Sequence, residues 1–260
     1  SKTYARTLNM ITKLLSAVRQ SRYASLVAMC LGAIFPLSLA PYHLWPMALF
    51  SLAWFTDLLT QQTPKQALLR GWAFGTGMWV VGVSWLFVSI HDYGYTAAWL
   101  AVLMVAFVAV VMGLFSASMA FIYRRFNLDR HAILTFAPLF IIFEWLKTWL
   151  FTGFPWLFTG YGFIDSVLVG YAPILGVFGV GLLAVISAQC LLMLLKHHAK
   201  AWSYGLLLSA IWLAGFGLQY INWTKSQFDK ALSVSIVQGN IPQDVKWQLE
   251  WRDKTLDIYR

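Results

Sequence analysis

The sequence predicts an all-α polytopic membrane bundle of about seven transmembrane helices, followed by the first strand and helix of an α/β domain. Three observations carry that expectation. Apolar residues make up 60% of the 260 and charged residues 11%, where a soluble domain carries about 25% charged residues. Seven apolar runs, at about 24–40, 44–60, 70–91, 96–123, 132–151, 167–195 and 202–222, are separated by short joints. The basic residues fall on alternate joints: 1–22, 61–70, 124–130 and 196–200 hold twelve Lys or Arg, whereas 41–43, 90–95 and 152–166 hold none.

Twelve against zero is a positive-inside pattern, so segment 1–23 is expected on the cytoplasmic face. Seven crossings then bring the chain out on the opposite face at about residue 222. Orientation accounts for the net charge of +9, and a nucleic-acid partner is not needed to explain it. Segment 1–22 could also lead a signal peptide, because Ser38-Leu39-Ala40 resembles a cleavage site. Pro41 follows at once, and the run is read as an uncleaved first span.

A span needs roughly 20 residues, within about 17 to 25. The first two runs are short, and the fourth and sixth are long enough to tilt. Pro36 should kink the first span. Gly75, Gly77 and Gly82 in the third run, and Gly176, Gly179 and Gly181 in the sixth, permit close helix packing. They are not a phosphate-binding loop, since no Lys-Ser or Lys-Thr follows and no strand precedes. Cys30 and Cys190 lie inside apolar runs without a nearby His or a CxxC partner. They read as plain thiols, and neither a metal nor a cofactor is expected.

The joint after the fifth run is the most informative. Glu144 and Lys147 stand three residues apart on one helical face. A loop with Gly153, Pro155, Gly160 and Gly162 follows, carrying Phe154, Trp156, Phe158, Tyr161 and Phe163 and no charge. Trp and Tyr favour the membrane interface. The Glu144–Lys147 pair has two readings. It forms the polar wall of a substrate cleft, or it lies near the interface, solvated, with Lys147 snorkelling. Asp57 is expected to be solvated near the cytoplasmic end of the second span. His91-Asp92 reads as a surface loop pair, because adjacent side chains point apart.

The tail, 223–260, changes character. Residues 232–237 alternate as a β-strand does. Gln238-Gly239-Asn240-Ile241-Pro242 signals a loop. A helix is expected from Asp244, with Val245, Leu249, Leu256 and Tyr259 near one face. One strand and one helix cannot bury a core alone, so the tail reads as the start of a soluble domain. No constellation supplies a nucleophile, a base and an oxyanion donor together. The residues alone support a membrane domain with a cleft at its outer face, feeding a soluble domain.

Several motifs in order carry a resemblance. They are Ala40-Pro41-Tyr42-His43-Leu44-Trp45-Pro46, the run from Gly82-Val83-Ser84-Trp85 to Ser89-Ile90, Glu144-Trp145-Leu146-Lys147, and Thr152-Gly153-Phe154-Pro155-Trp156 to Tyr161. Last comes Val237-Gln238-Gly239-Asn240-Ile241-Pro242-Gln243 with Lys246-Trp247. With these the sequence resembles the bacterial apolipoprotein N-acyltransferases, membrane enzymes of lipoprotein maturation. The resemblance implies a multi-pass protein of the bacterial inner membrane and a tail that begins a periplasmic nitrilase-like (α-β-β-α) domain.

It also implies ping-pong acyl transfer. A cysteine thiolate takes an acyl chain from a membrane phospholipid as a thioester. The α-amine of a diacylglyceryl-cysteine at the amino terminus of an apolipoprotein then receives it. The family's Glu-Lys-Cys triad is expected beyond Arg260. Glu144 and Lys147 match membrane-domain positions and are not the triad. By resemblance Trp247 stands at the mouth of the active-site cavity. Trp156, Phe154, Tyr161, Glu144 and Lys147 are the other candidate substrate contacts. A small-molecule transporter and a non-catalytic membrane anchor are the alternatives.

The charge partition makes a direct prediction about topology. A reporter that is active only outside the cytoplasm should be active when fused after Asn222 and silent when fused after Arg130. Enzymatic assay of the two fusions in whole cells checks it.

Overall fold

A computed structural model describes residues 13, 15–196, 201–225, 232–246 and 248–260. Each apolar run contains a helix. In chain order these are α1 (Ala24–Ile34), α2 (Trp45–Leu59), α3 (Pro64–Gly82), α4 (Ala98–Arg125), α5 (Ala132–Leu146), α6 (Ala172–Lys196) and α7 (Ala201–Leu218). Residues 15–20 are also helical.

Local chemistry sets several of the ends. Thr63 and Gln66 form a reciprocal capping box at the start of α3, with Pro64 in its first turn, where the missing N–H costs nothing. Arg124 and Arg125 occupy the last turn of α4, facing the negative end of its dipole. Asn127, left-handed at φ 51°, then turns the chain. Pro36 does not kink α1. The helix stops at Ile34, and Pro36 sits in a following 3-10 turn, Phe35–Ser38.

Among the described residues, three helices are long and apolar enough to cross a membrane: Ala98–Arg125, Val167–Lys196 and Ala201–Leu218. A fourth is added if α3 and Leu86–Tyr93, bent by 59°, count as one broken span. The other helices fall short of that measure. The 15 residues of α2 rise about 22 Å, less than the roughly 30 Å of a hydrocarbon core. The fifth run also shortens, because α5 ends at Leu146 and the chain turns non-helical by Phe151. Within α6, Gly176 adopts φ +62° and breaks the helix.

The bundle is organised on α3, which packs mainly between α4 and α1. Glycine makes both approaches possible. A Cβ on Gly77 would lie 2.1 Å from the Met29 carbonyl oxygen, and one on Gly75 would lie 2.8 Å from Gly113 Cα. Side chains larger than hydrogen would force these backbones apart. Phe55 stacks on Phe74 at 3.9 Å inside the core that results. A second group forms around α6, which packs on α7, α2 and α5. Two hydrogen bonds cross it: Gln189 donates to Thr56 Oγ1 at 2.9 Å, and Trp212 Nε1 donates to Ser187 Oγ at 3.1 Å.

The tail differs from expectation. Among the described residues there is no strand, and 232–237 forms no ladder. Leu232 is 86% exposed and Ile236 88%. Alternation stabilises a strand only when a partner accepts its hydrogen bonds and covers one face, and no partner strand is among the described residues. A turn at 243–246 precedes a 3-10 turn, Leu249–Trp251, and a short helix, α8 (Arg252–Ile258), all largely exposed.

The close α1–α3 crossing predicts a strong size limit at Gly77. Gly77→Leu should lower the melting temperature in detergent by several degrees, since overpacking costs about 1–3 kcal/mol even where side chains can adjust. Gly217→Ala, where an added Cβ meets nothing within 4 Å, should be neutral or stabilising. Thermal unfolding of the two variants side by side checks the contrast.

Candidate functional site

The loop after α5 and the end of α3 enclose the most distinctive chemistry in the molecule. Lys147 caps α5, and from there the chain runs through short 3-10 turns, Leu150–Thr152, Thr159–Phe163 and Val167–Tyr171, joined by irregular backbone. Phe151, Thr152 and Leu157 have positive φ, as does Gly153 at +85°. Such backbone must find its hydrogen-bond partners within the protein when it lies at membrane depth. Glu144 supplies the central one. Its Oε1 accepts from the Thr159 backbone N–H at 2.9 Å and from Thr159 Oγ1 at 2.8 Å. Phe154 N–H donates to Lys147 O at 2.7 Å.

Glu144 and Lys147 are both buried, each 4% exposed. The solvated, snorkelling reading of the pair is therefore overturned: the loop folds back over them. No direct ion pair joins them. The Lys147 ammonium donates to Trp156 O at 3.4 Å and lies between two rings, 5.3 Å from Trp79 and 5.4 Å from Phe158. Both distances suit cation–π attraction, which strengthens as water is removed. Glu144 Oε2 is buried without a hydrogen-bond partner. A cavity of about 20 Å³, lined by Met78, Trp79, Ser116, Met119, Glu144 and Lys147 among others, adjoins the pair. That is space for about one water molecule.

Above this buried pair runs a row of aromatic rings. Trp79 stacks on Phe154 at 5.2 Å, Phe154 stacks on Trp156 at 5.1 Å, and Trp156 lies 6.2 Å from Trp85. Trp79 is fully buried, whereas Trp156 is 43% exposed. The row therefore leads from the core to the surface. There it meets a cavity of about 690 Å³, whose wall includes Pro36, Tyr42, Trp85, Trp156, Leu157 and Tyr161. Pockets of this size and apolar lining accept extended apolar ligands. Its polar groups are few, chiefly Ser84 and the Tyr hydroxyls.

The structure sorts the expected site residues. Trp156 and Tyr161 line the cavity. Phe154 stands behind Trp156 as the second ring of the row and does not line it. Glu144 and Lys147 lie beneath, holding the loop. Trp247 lies outside the described residues. Cys30 is exposed and Cys190 buried. His91 sits in a π-helical turn, Ser89–Tyr93, with Nδ1 2.7 Å from Thr96 O and Nε2 3.9 Å from Asp92 Oδ1, a local surface arrangement.

One rim contact had no sequence signal. His43 Nδ1 lies 2.6 Å from Asp165 Oδ2 and ties the α1–α2 connection to the aromatic loop. Only a chain-order motif containing both residues would have revealed it. Asp57 also departs from expectation. It is 1% exposed, not solvated, and pairs with Lys196 and, at 3.6 Å, with Arg19.

Comparison with known proteins adds a family. The description "Apolipoprotein N-acyltransferase N-terminal domain" matches residues 31–190. An apolipoprotein N-acyltransferase of Nitrosomonas europaea is 40% identical over 238 residues, covering 90% of this chain and 48% of the relative. One from Vibrio parahaemolyticus is 37% identical over 238 residues, covering 90% and 46%. One from Pseudomonas syringae is 39% identical over 246 residues, covering 91% and 48%. The chain thus spans about half the length of the curated relatives it matches.

The burial of Glu144 and Lys147 predicts asymmetric mutational costs. Glu144→Ala should destabilise by about 3–5 kcal/mol, because it leaves the Lys147 charge buried without its counter-charge. Glu144→Ala combined with Lys147→Met should recover much of that loss. Thr159→Val, which removes one hydrogen bond to a charged oxygen, should cost about 1.5–3 kcal/mol. Thermal unfolding of the three variants in detergent checks the order.

Proposed function

The chain belongs to the apolipoprotein N-acyltransferase N-terminal domain family, and on that premise we propose that it is the membrane portion of such an enzyme. In this reading the enzyme moves an acyl chain from a membrane phospholipid to the α-amine of a diacylated apolipoprotein, through a thioester. The chain's own part is to admit and orient the acyl chain. The observation that carries this reading is the cavity of about 690 Å³ walled by Trp85, Trp156, Leu157 and Tyr161. An acyl chain leaving the bilayer needs apolar walls, and a headgroup beside it needs amphipathic rings at the rim. Trp and Tyr meet both needs.

The topology proposed with it puts residues 24–222 in the bilayer as seven crossings, with the short helices α1, α2 and α5 completing the bundle. The amino-terminal segment faces the cytoplasm, and 223–260 begins a periplasmic nitrilase-like domain. The basic joints alternate along the sequence with joints that hold no Lys or Arg, which supports that orientation. On this topology the aromatic cavity opens on the periplasmic side of the inner membrane. Trp247 would complete its entrance from the soluble side.

Acyl transfer through a thioester needs an activated thiolate. Cys30 and Cys190 sit within α1 and α6, inside apolar helices, and neither fits that role. The 260-residue chain alone is therefore expected to form no acyl-enzyme. The full enzyme should form one, and Trp156→Ala should lower its yield at least severalfold with little change in melting temperature. Labelled phospholipid, hydroxylamine release of the label and a melting curve on the same preparation test both points. Label on Cys30 or Cys190 would sink the nucleophile argument. Unchanged thioester yield in Trp156→Ala would remove the cavity from the acyl path.

A further inference from the structure

At the opposite end of α1 and α3 from the aromatic cavity, two cavities adjoin across residues 15–22. One is an apolar groove of about 420 Å³, walled by Leu15, Val18, Val27, Leu31, Phe50 and Trp54, with Asp57 also on its lining. The other is a polar pocket of about 480 Å³, with Arg19, Arg22 and Arg70 among glutamines 61, 62 and 66. Among the described residues no carboxylate lines the polar pocket.

The cations around it are not balanced. Arg70 is buried, and its guanidinium donates to two neutral carbonyls, Leu58 O at 2.5 Å and Arg19 O at 2.8 Å. It has no acidic partner among the described residues. Arg22 donates to the Tyr23 hydroxyl and lies over that ring. Arg19 shares Asp57 with Lys196. Of these four cationic side chains, Arg19 and Lys196 contact the one carboxylate, and the partners shown for Arg22 and Arg70 are neutral. A buried cation without a counter-charge is costly, and an anion in the pocket would supply that charge.

We propose that these two cavities together hold one resident anionic phospholipid of the adjoining leaflet. Its phosphate would lie among Arg19, Arg22 and Arg70, and one acyl chain in the groove against Leu31, Phe50 and Trp54. Charge complementarity selects the head, since guanidinium groups present paired donors matched to phosphate oxygens. The groove selects the tail: a free anion would satisfy the arginines and leave the apolar walls uncovered. Basic pockets between helices at a membrane surface are suited to lipid headgroups. On the topology proposed above, this leaflet is the cytoplasmic one, away from the aromatic cavity.

Native mass spectrometry of the full chain in detergent tests the site, with phosphatidylglycerol, phosphatidylethanolamine and inorganic phosphate titrated separately. One phosphatidylglycerol should be retained at lower concentration than phosphatidylethanolamine. Arg22→Gln, at an exposed residue that supports no buried carbonyl, should weaken retention about fivefold or more. Val27→Trp, which fills the groove and keeps every charge, should weaken it as well. Arg70→Gln serves only as a further check, because its carbonyl contacts make it a folding risk. Retention unaffected by Arg22→Gln, or equal for the two lipids, overturns the proposal. So does inorganic phosphate that displaces lipid freely while Val27→Trp has no effect, which would mark a site for free anions.

Discussion

Glu144 is the group on which the aromatic end of the molecule depends. One oxygen holds both the backbone N–H and the hydroxyl of Thr159. Short turns satisfy part of the backbone of the loop between α5 and α6, Glu144 takes the Thr159 N–H, and unsatisfied peptide groups are expensive away from water. The carboxylate therefore acts as a fixed acceptor that pulls the loop onto the bundle. Once Thr159 is held, Phe158 and Trp156 fall on either side of the Lys147 ammonium, one offering its ring and the other its carbonyl. The order runs from a buried charge to a loop conformation, and from that conformation to the cavity wall.

The cavity depends on a second constraint, far from any polar group. Its wall is made by three connections: the turn after α1, the end of α3 and the aromatic loop. The first two meet only because α1 and α3 cross at backbone contact, where Gly77 faces Met29 O. Leu157 then inserts against Gly82 and joins the third connection to them. Small residues in the middle of the bundle thus set the width of an opening at its end.

Much of this was legible in the sequence, for reasons that also mark the limit. Apolar runs reveal helices because burial in lipid or protein needs apolar side chains on all faces. All seven runs contain one. Helix ends were less legible, since Gly176 and the aromatic loop break backbone that composition alone would continue. Glu144 and Lys147 line one small cavity, as a spacing of one turn allows, without a direct ion pair between them. The spacing could not reveal that the loop's own rings and carbonyls would bury them. Asp57 was misread because its partners, Arg19 and Lys196, come from distant parts of the chain, and local sequence carries no record of them. The same holds for His43 and Asp165. In the tail, alternation at 232–237 signals a strand only if a partner strand exists, a condition that lies outside the segment.

The two ends of the bundle hold their cations with different partners. At the basic end, Arg70 and Arg124 donate to backbone carbonyls, Leu58 O, Arg19 O and Gln62 O. At the aromatic end, the connections 41–43, 90–95 and 152–166 carry no Lys or Arg. Lys147 lies beside them, and on charge counting alone it belongs on the other side. Its burial resolves the conflict. Glu144 on the same turn supplies the opposite charge, two aromatic faces attract the ammonium, and the loop keeps both from the membrane surface. An exposed lysine there would draw phosphate headgroups to the rim. With the ammonium buried, the cavity beside it is walled chiefly by Trp85, Trp156, Leu157 and Tyr161.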